Sequence, residues 1–440
     1  MKKIYLFLSL LNIFTLLLAL DKSFYSPENG FALYSLETKQ KILSHNENKK
    51  FSYASNVKLI TTVVALELLG PNFRFETKFK VNKDTIFIKS FGDPSITLEN
   101  LYSIANNLKK YFSSSPKIVV VDDYFYENQN CAVVDERKLT NKAFHAEVSS
   151  LSLNYNSYHL QVIPNEFGEK PFVWIETPGN YFKLYNKLIL TTEKTKIRIK
   201  TKDFGNYQKI EVSGGFNLND TTKNYYFRVK NPTNHFVYTF LNLLGLEGKQ
   251  EIVKKHLNDS LFSKGYVYTY KSQKLAEIIK KMNYYSSNII ANSLVCFLGK
   301  IYFTENGINV VNRHIETKLA DRIELNDGSG LGENILTPKF FIKLLLYIYD
   351  HPFLFIDFFG SLPVYGRDGT LKKTGGFETK DVLRAKTGSL SNVNSISGIL
   401  RAKSGDFYFF SFVTNKKWIN NDFHVEFIRN RFLNQIWREY

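Results

Sequence analysis

A chain of 440 residues is long enough for about two or three domains, and 44% hydrophobic, 15% aromatic and 22% charged residues exclude a disordered or collagenous protein. Lys and Arg number 58 against 41 acidic residues, and the net charge of +17 directs attention to polyanions: nucleic acid, anionic lipid or wall polymer. Cys131 and Cys296 are the only cysteines, which excludes a disulfide framework and a four-cysteine zinc site; two unpaired thiols are expected, with one bridge as the alternative.

Lys2 and Lys3 precede a mostly apolar run from Ile4 to Leu20 that closes at Asp21-Lys22, the order of a secretory signal. Residues 1–20 are therefore expected to export the chain to the periplasm, with an uncleaved anchor, and hence membrane association through this segment, as the alternative. Without them the charge is about +15, and export makes nucleic acid a poor explanation for it.

In chain order, Phe31 to Ser44 alternates as a hairpin around Glu37-Thr38-Lys39. Asn56 to Leu69 is almost wholly apolar or small and stops at Gly70-Pro71, the pattern of a buried helix. From about Lys80 to Gly248, short strand-like runs follow at Lys117–Val121, Ser152–Asn156, Leu188–Thr192 and Thr195–Lys200, which predicts β-rich inserted modules. Leu275, Ile278, Ile279 and Met282 then recur at helical spacing, and Phe407–Thr414 reads as an apolar strand, so the second half is α+β.

The helix predicted over 56–69 carries one cation, Lys58, three residues after Ser55. That spacing stacks the two on one helical face, about 5–6 Å apart at Cβ. A serine beside a desolvated lysine is a nucleophile beside a base; the plainer alternative is a chance pair with Lys58 snorkelling to solvent. Ser114-Ser115-Pro116-Lys117 repeats the spacing, but Pro116 would disrupt a helical turn. Ser286-Ser287-Asn288 lies between helix-like runs, where serine could relay a proton and asparagine hold an amide. Ser44-His45-Asn46 and Ser152-Leu153-Asn154 match it in strand-like contexts. Lys386-Thr387-Gly388 follows the strand-like Val382–Ala385: the Thr387 amide could face an oxyanion, Gly388 could permit close approach, and Lys386 could attract a carboxylate. Lys373-Thr374-Gly375 lacks such a strand and reads as a turn.

Taken in order, these three motifs resemble the serine penicillin-recognising enzymes. Ala54–Leu59, Gly92-Asp93-Pro94, Val148–Asn154, Asp327–Leu331, Leu362-Pro363-Val364, Asp368–Leu371 and Arg384–Leu390 are similar to the D-alanyl-D-alanine carboxypeptidase/endopeptidase branch, the class C low-molecular-mass penicillin-binding proteins. The resemblance covers most of the chain. It implies an α+β, serine β-lactamase/transpeptidase-like domain formed by 21–80 and 251–440, with β-rich domains (81–250) inserted between the first and second motifs. The gap of about 230 residues between them fits a branch with insertions. Tyr53, Asn292 and Gly332-Glu333 depart from the family pattern and bear on the shape and charge of the cleft.

The implied activity is a serine-type DD-peptidase acting on peptidoglycan stem peptides. Ser55 would be acylated with Lys58 as base, Ser286 and Lys386 would pass the proton to the leaving amine, and Asn288 would position the peptide. The amides of Ser55 and Thr387 would bind the oxyanion beside Gly388. β-Lactams would be inhibitors, and neither metal nor organic cofactor is implied. A non-catalytic wall-binding scaffold of the same fold and a β-lactamase or esterase are the rival readings. No basic aromatic motif supports nucleic-acid binding. His145-Ala146-Glu147 lacks the cysteines of a deaminase, and Gly328–Gly332 lacks the lysine of a phosphate loop; both read as structural.

Overall fold

The computed structural model describes residues 21–112, 116–127, 140–165, 169–246, 250–304, 306–372, 382–416 and 422–440. The proposed signal (1–20), Cys131, the Ser114-Ser115 pair and Lys373-Thr374-Gly375 lie outside them. The protein is a mixed α+β structure that divides into two compact units, one holding 21–73 and 275–440, the other 74–127 and 140–274 among the described residues.

In the first unit an antiparallel sheet runs in the order Leu383–Leu390, Val393–Arg401, Phe407–Thr414, Asn29–Ser35, Lys41–His45. The last two strands are the expected hairpin. Phe407–Thr414 is central and buried on both faces, which is why its sequence is apolar but for Ser411 and Thr414. On one face Phe31, Phe410, Phe412 and Ile396 pack with Phe432 and Ile436 of the C-terminal helix, Asp422–Glu439. On the other, Tyr349 and Phe359 meet Phe409, and Phe341 meets Tyr53.

The expected helix is Val57–Leu69, and it ends where Gly70 adopts φ 80° and donates to the Leu66 carbonyl. The helices Leu275–Tyr285, Asn288–Ile301, Gly307–Leu319 and Pro352–Gly360 surround it. That enclosure makes it apolar around nearly its whole circumference, and burying each large aliphatic side chain contributes about 1.5–3 kcal/mol. Cys296, on Asn288–Ile301, is buried and disulfide-bonded, a correction to the expectation of unpaired thiols; the apposition that a disulfide requires is tertiary and leaves no local signal.

The second unit opens with a five-stranded mixed sheet in the order Glu251–Lys254, Ile118–Asp122, Thr85–Ser90, Glu76–Asn82, Val267–Lys271. Helices Leu98–Lys109 and Pro232–Leu243 pack on it and were not expected from sequence. Two three-stranded sheets enclose a further core: Lys196–Asp203, Gln208–Asn217, Phe182–Thr191, and Lys223–Arg228, Ser157–Ile163, Phe172–Ile175. Ser152–Asn156, expected as strand-like, is instead a loop ending in a tight turn. Asn154, Tyr155 and Asn156 there take φ 48°, 58° and 50°, which asparagine tolerates better than most residues. Among the described residues no helix is long and apolar enough to cross a membrane.

Candidate active site

The turn before the buried helix delivers Ser55. Ala54 is left-handed (φ 47°), Ser55 is half-buried, and Lys58 one turn later is fully buried because helices enclose its whole neighbourhood. Enclosure closes the snorkelling alternative. Lys58 Nζ lies 3.1 Å from Ser55 Oγ and donates to Asn288 Oδ1 at 2.7 Å and to the Ser329 carbonyl at 2.6 Å. Burial lowers its pKa to about 7, while the Asp327 carboxylate pulls the value back upward. A neutral amine has two N–H bonds and one lone pair. With both N–H bonds directed to Asn288 and Ser329, the lone pair remains for the Ser55 hydroxyl proton.

The second motif spans a helix junction. Ser287 Oγ accepts from the Ile290 amide and so caps Asn288–Ile301. Its own amide donates to the Met282 carbonyl, closing the preceding helix around Ser286 at φ 55°. Ser287 is thus structural, and the residues on either side meet the two lysines: Asn288 meets Lys58, and Ser286 Oγ is 3.0 Å from Lys386 Nζ.

The third motif lies inside the edge strand Leu383–Leu390. Lys386 is fully buried and donates to Ser286 Oγ and to the Thr387 carbonyl at 2.7 Å. Burial, and then repulsion from Lys58, hold its pKa well below the ordinary lysine value. Thr387 Oγ1 donates to Thr370 Oγ1 at 2.8 Å. A Cβ on Gly388 would lie 2.4 Å from the Tyr53 carbonyl and 3.0 Å from the Ser55 amide, so glycine lets this strand pass against the nucleophile's turn. The Ala385 amide donates to Pro363 and the Leu383 carbonyl accepts from Tyr365, both away from the neighbouring strand. By the antiparallel alternation, the Thr387 and Ser389 amides face the same outer edge. Ser389 thereby joins Thr387, the only strand amide expected from sequence.

Ser55, Lys58, Ser286, Asn288, Lys386, Thr387 and Gly388 therefore converge in the first unit. Sequence reasoning missed the role of Asp327. This buried carboxylate accepts from the amides of Ser329, Gly330, Leu331 and Gly332 and from Asn334 Nδ2, bending 327–332 so that the Ser329 carbonyl meets Lys58. Gly330, at φ 87°, fits against Ala54, where a Cβ would lie 1.9 Å from its carbonyl. The one available signal was an acid heading a glycine-serine loop.

The departures also have places. Tyr53 is buried, with its hydroxyl 3.0 Å from Ser411 Oγ, and Asn292 is buried one turn beyond Asn288. His145 Nδ1 lies 2.8 Å from Thr140 Oγ1 and Glu147 pairs with Arg228, which fits the structural reading of that segment.

Residues 18–430 match the D-Ala-D-Ala carboxypeptidase 3 (S13) family. The chain is 25% identical to the penicillin-sensitive carboxypeptidase A of Dictyostelium discoideum, over 92% of this chain and 84% of the relative. Its fold is shared with penicillin-binding protein 4 (dacB) from Haemophilus influenzae, at TM-score 0.76 and 22% identity, covering 96% of this chain and 98% of that one. A penicillin G-acylated predatory endopeptidase from Bdellovibrio bacteriovorus aligns at TM-score 0.52 and 18% identity, with 92% of each chain covered.

Proposed function

The chain belongs to the D-Ala-D-Ala carboxypeptidase 3 (S13) family, and on that premise we propose that it is an exported serine DD-peptidase of peptidoglycan, with the first unit as its catalytic domain. The observation that carries this reading is the environment of Lys58: a buried amine beside Ser55 Oγ, with both N–H bonds directed elsewhere and a pKa near neutrality.

Ser55 Oγ attacks the carbonyl carbon of a D-alanyl peptide bond as its proton passes to Lys58 Nζ. The amides of Ser55, Thr387 and Ser389 supply oxyanion donors, and removal of one such donor typically costs about 10²–10³ in rate. Collapse of the tetrahedral intermediate breaks the C–N bond. Ser286, hydrogen-bonded to Lys386, passes a proton to the departing amine and is reprotonated by the proton that Lys58 took from Ser55, which returns Lys58 to its neutral form, while Asn288 holds the acylated peptide. Water then hydrolyses the Ser55 ester. Bonds at D-alanyl-D-alanine ends and at D-amino-acid cross-links present the same carbonyl to this apparatus. β-Lactams acylate the same oxygen, as penicillin G acylates the Bdellovibrio relative.

The test is intact mass after incubation with benzylpenicillin, followed by D-alanine release from a soluble D-alanyl-D-alanine peptide. An adduct of one drug mass on Ser55, absent from Ser55→Ala, together with D-alanine release, is expected. A folded protein with no adduct, no drug turnover and no D-alanine release would leave a non-catalytic scaffold as the function.

A further inference from the structure

The three-stranded sheet Lys196–Asp203, Gln208–Asn217, Phe182–Thr191 has one face in the core of the second unit, where Leu188, Ile210, Val212 and Phe216 are buried. Alternation fixes what the other face carries. Lys196, Arg198, Lys200 and Lys202 occupy successive outward positions of the first strand, and all four are exposed. The register places Lys202 beside Lys209, and Lys209 beside Lys183; Lys187 follows four residues further along, past Tyr185. Glu211 is the acid on these outward positions, and it is paired with Lys187 at 2.9 Å.

With strands about 4.8 Å apart and like-facing residues about 7 Å apart along each, the cations form a planar lattice. Like charges at such spacings repel, which a bound polyanion would relieve. Aromatic rings are interleaved: Lys183 Nζ sits 3.8 Å from the centre of the Tyr207 ring, Lys209 lies over Tyr185, and Lys202 over Phe204. Tyr185 and Phe204 are exposed, as is Ile189 at 67%.

We propose that this outer sheet face is a docking surface for the peptidoglycan strand, its lysines pairing with stem-peptide carboxylates and its rings lying against the sugar faces. The proposal rests on the chain being a peptidoglycan hydrolase. An extended polymer with carboxylates at repeated intervals matches a flat lattice of cations in charge and form, and the alternation of rings with ammonium groups suits a ligand that alternates sugar and carboxylate. Such a surface raises the local concentration of polymer by electrostatic attraction.

The test sediments purified sacculi with the full-length chain carrying Ser55→Ala, so that no bond is cut. Binding is expected to fall steeply between about 0.01 and 1 M salt, as the Debye length contracts from ~30 to ~3 Å. Combined Lys196→Glu, Arg198→Glu, Lys200→Glu and Lys202→Glu should reduce low-salt binding about tenfold or more, and Lys183→Glu with Lys187→Glu provides an independent variant on another strand. Sacculi whose carboxylates have been amidated should no longer hold the unmodified face. Binding unchanged by both charge reversals or by amidation overturns the proposal, as does tighter binding to phosphatidylglycerol vesicles or duplex DNA than to sacculi. With Ser55 intact, each variant should release D-alanine from a soluble peptide at the unmodified rate. Failure of that reaction in every form, the unmodified chain included, would strike the catalytic reading without touching the sacculus result.

Discussion

Two buried lysines and one buried carboxylate set the pH behaviour of the site. Lys58 acts as a base only when neutral, and with a pKa near 7 its neutral fraction falls about tenfold per unit below that value. Acylation by benzylpenicillin should therefore rise with pH on a limb centred near 7. Asp327 raises the Lys58 pKa, so Asp327→Asn should move the limb to lower pH, which a pH profile of acylation rate measures. A purely architectural Asp327 would lower the rate and leave the midpoint where it was. Ser55 and Lys58 were legible because a lone cation in an apolar helix needs a partner or a task. Asp327 was not, since its amide contacts and the turn of Ser329 toward Lys58 exist only once the loop has folded.

At the scale of elements, helix ends rather than helix bodies place the chemistry. Ser286 occupies the left-handed closing position of Leu275–Tyr285, where glycine is usual and another residue costs about 1 kcal/mol. Ser286→Gly should accordingly raise stability by up to about 1 kcal/mol in thermal unfolding while slowing release of the leaving amine. Loss of stability would show that the Lys386 contact outweighs the backbone strain. The elements that sequence reasoning did not anticipate carried signals of the same local kind. Thr97 and Asn100 box the start of Leu98–Lys109, and Asn231 caps Pro232–Leu243, whose first residue is proline. Both helices stand among frequent strand-like runs, which mask such short cues. Ser152–Asn156 failed in the opposite direction: apolar alternation suggested a strand, and asparagine's tolerance of positive φ produced a turn.

On the scale of the whole molecule, the two units have separate cores, the first around Phe31, Phe410 and Phe432, the second around the groups centred on Phe79 and Tyr158. Calorimetric unfolding should resolve more than one transition, and acylation of Ser55 should shift only one of them. A single transition moved as a whole would show the units to be energetically coupled. By itself, the sequence determined the hairpin, the buried helix, the order of the three motifs and the family, because each rests on spacing and polarity within a short window. Tertiary structure alone decided that Lys58 is enclosed rather than at the surface, that Asp327 shapes its surroundings, that Cys296 is in a disulfide, and that cations from separate strands form one face. Enclosure, electrostatic coupling and cross-strand register join residues far apart in sequence, and no local pattern encodes them.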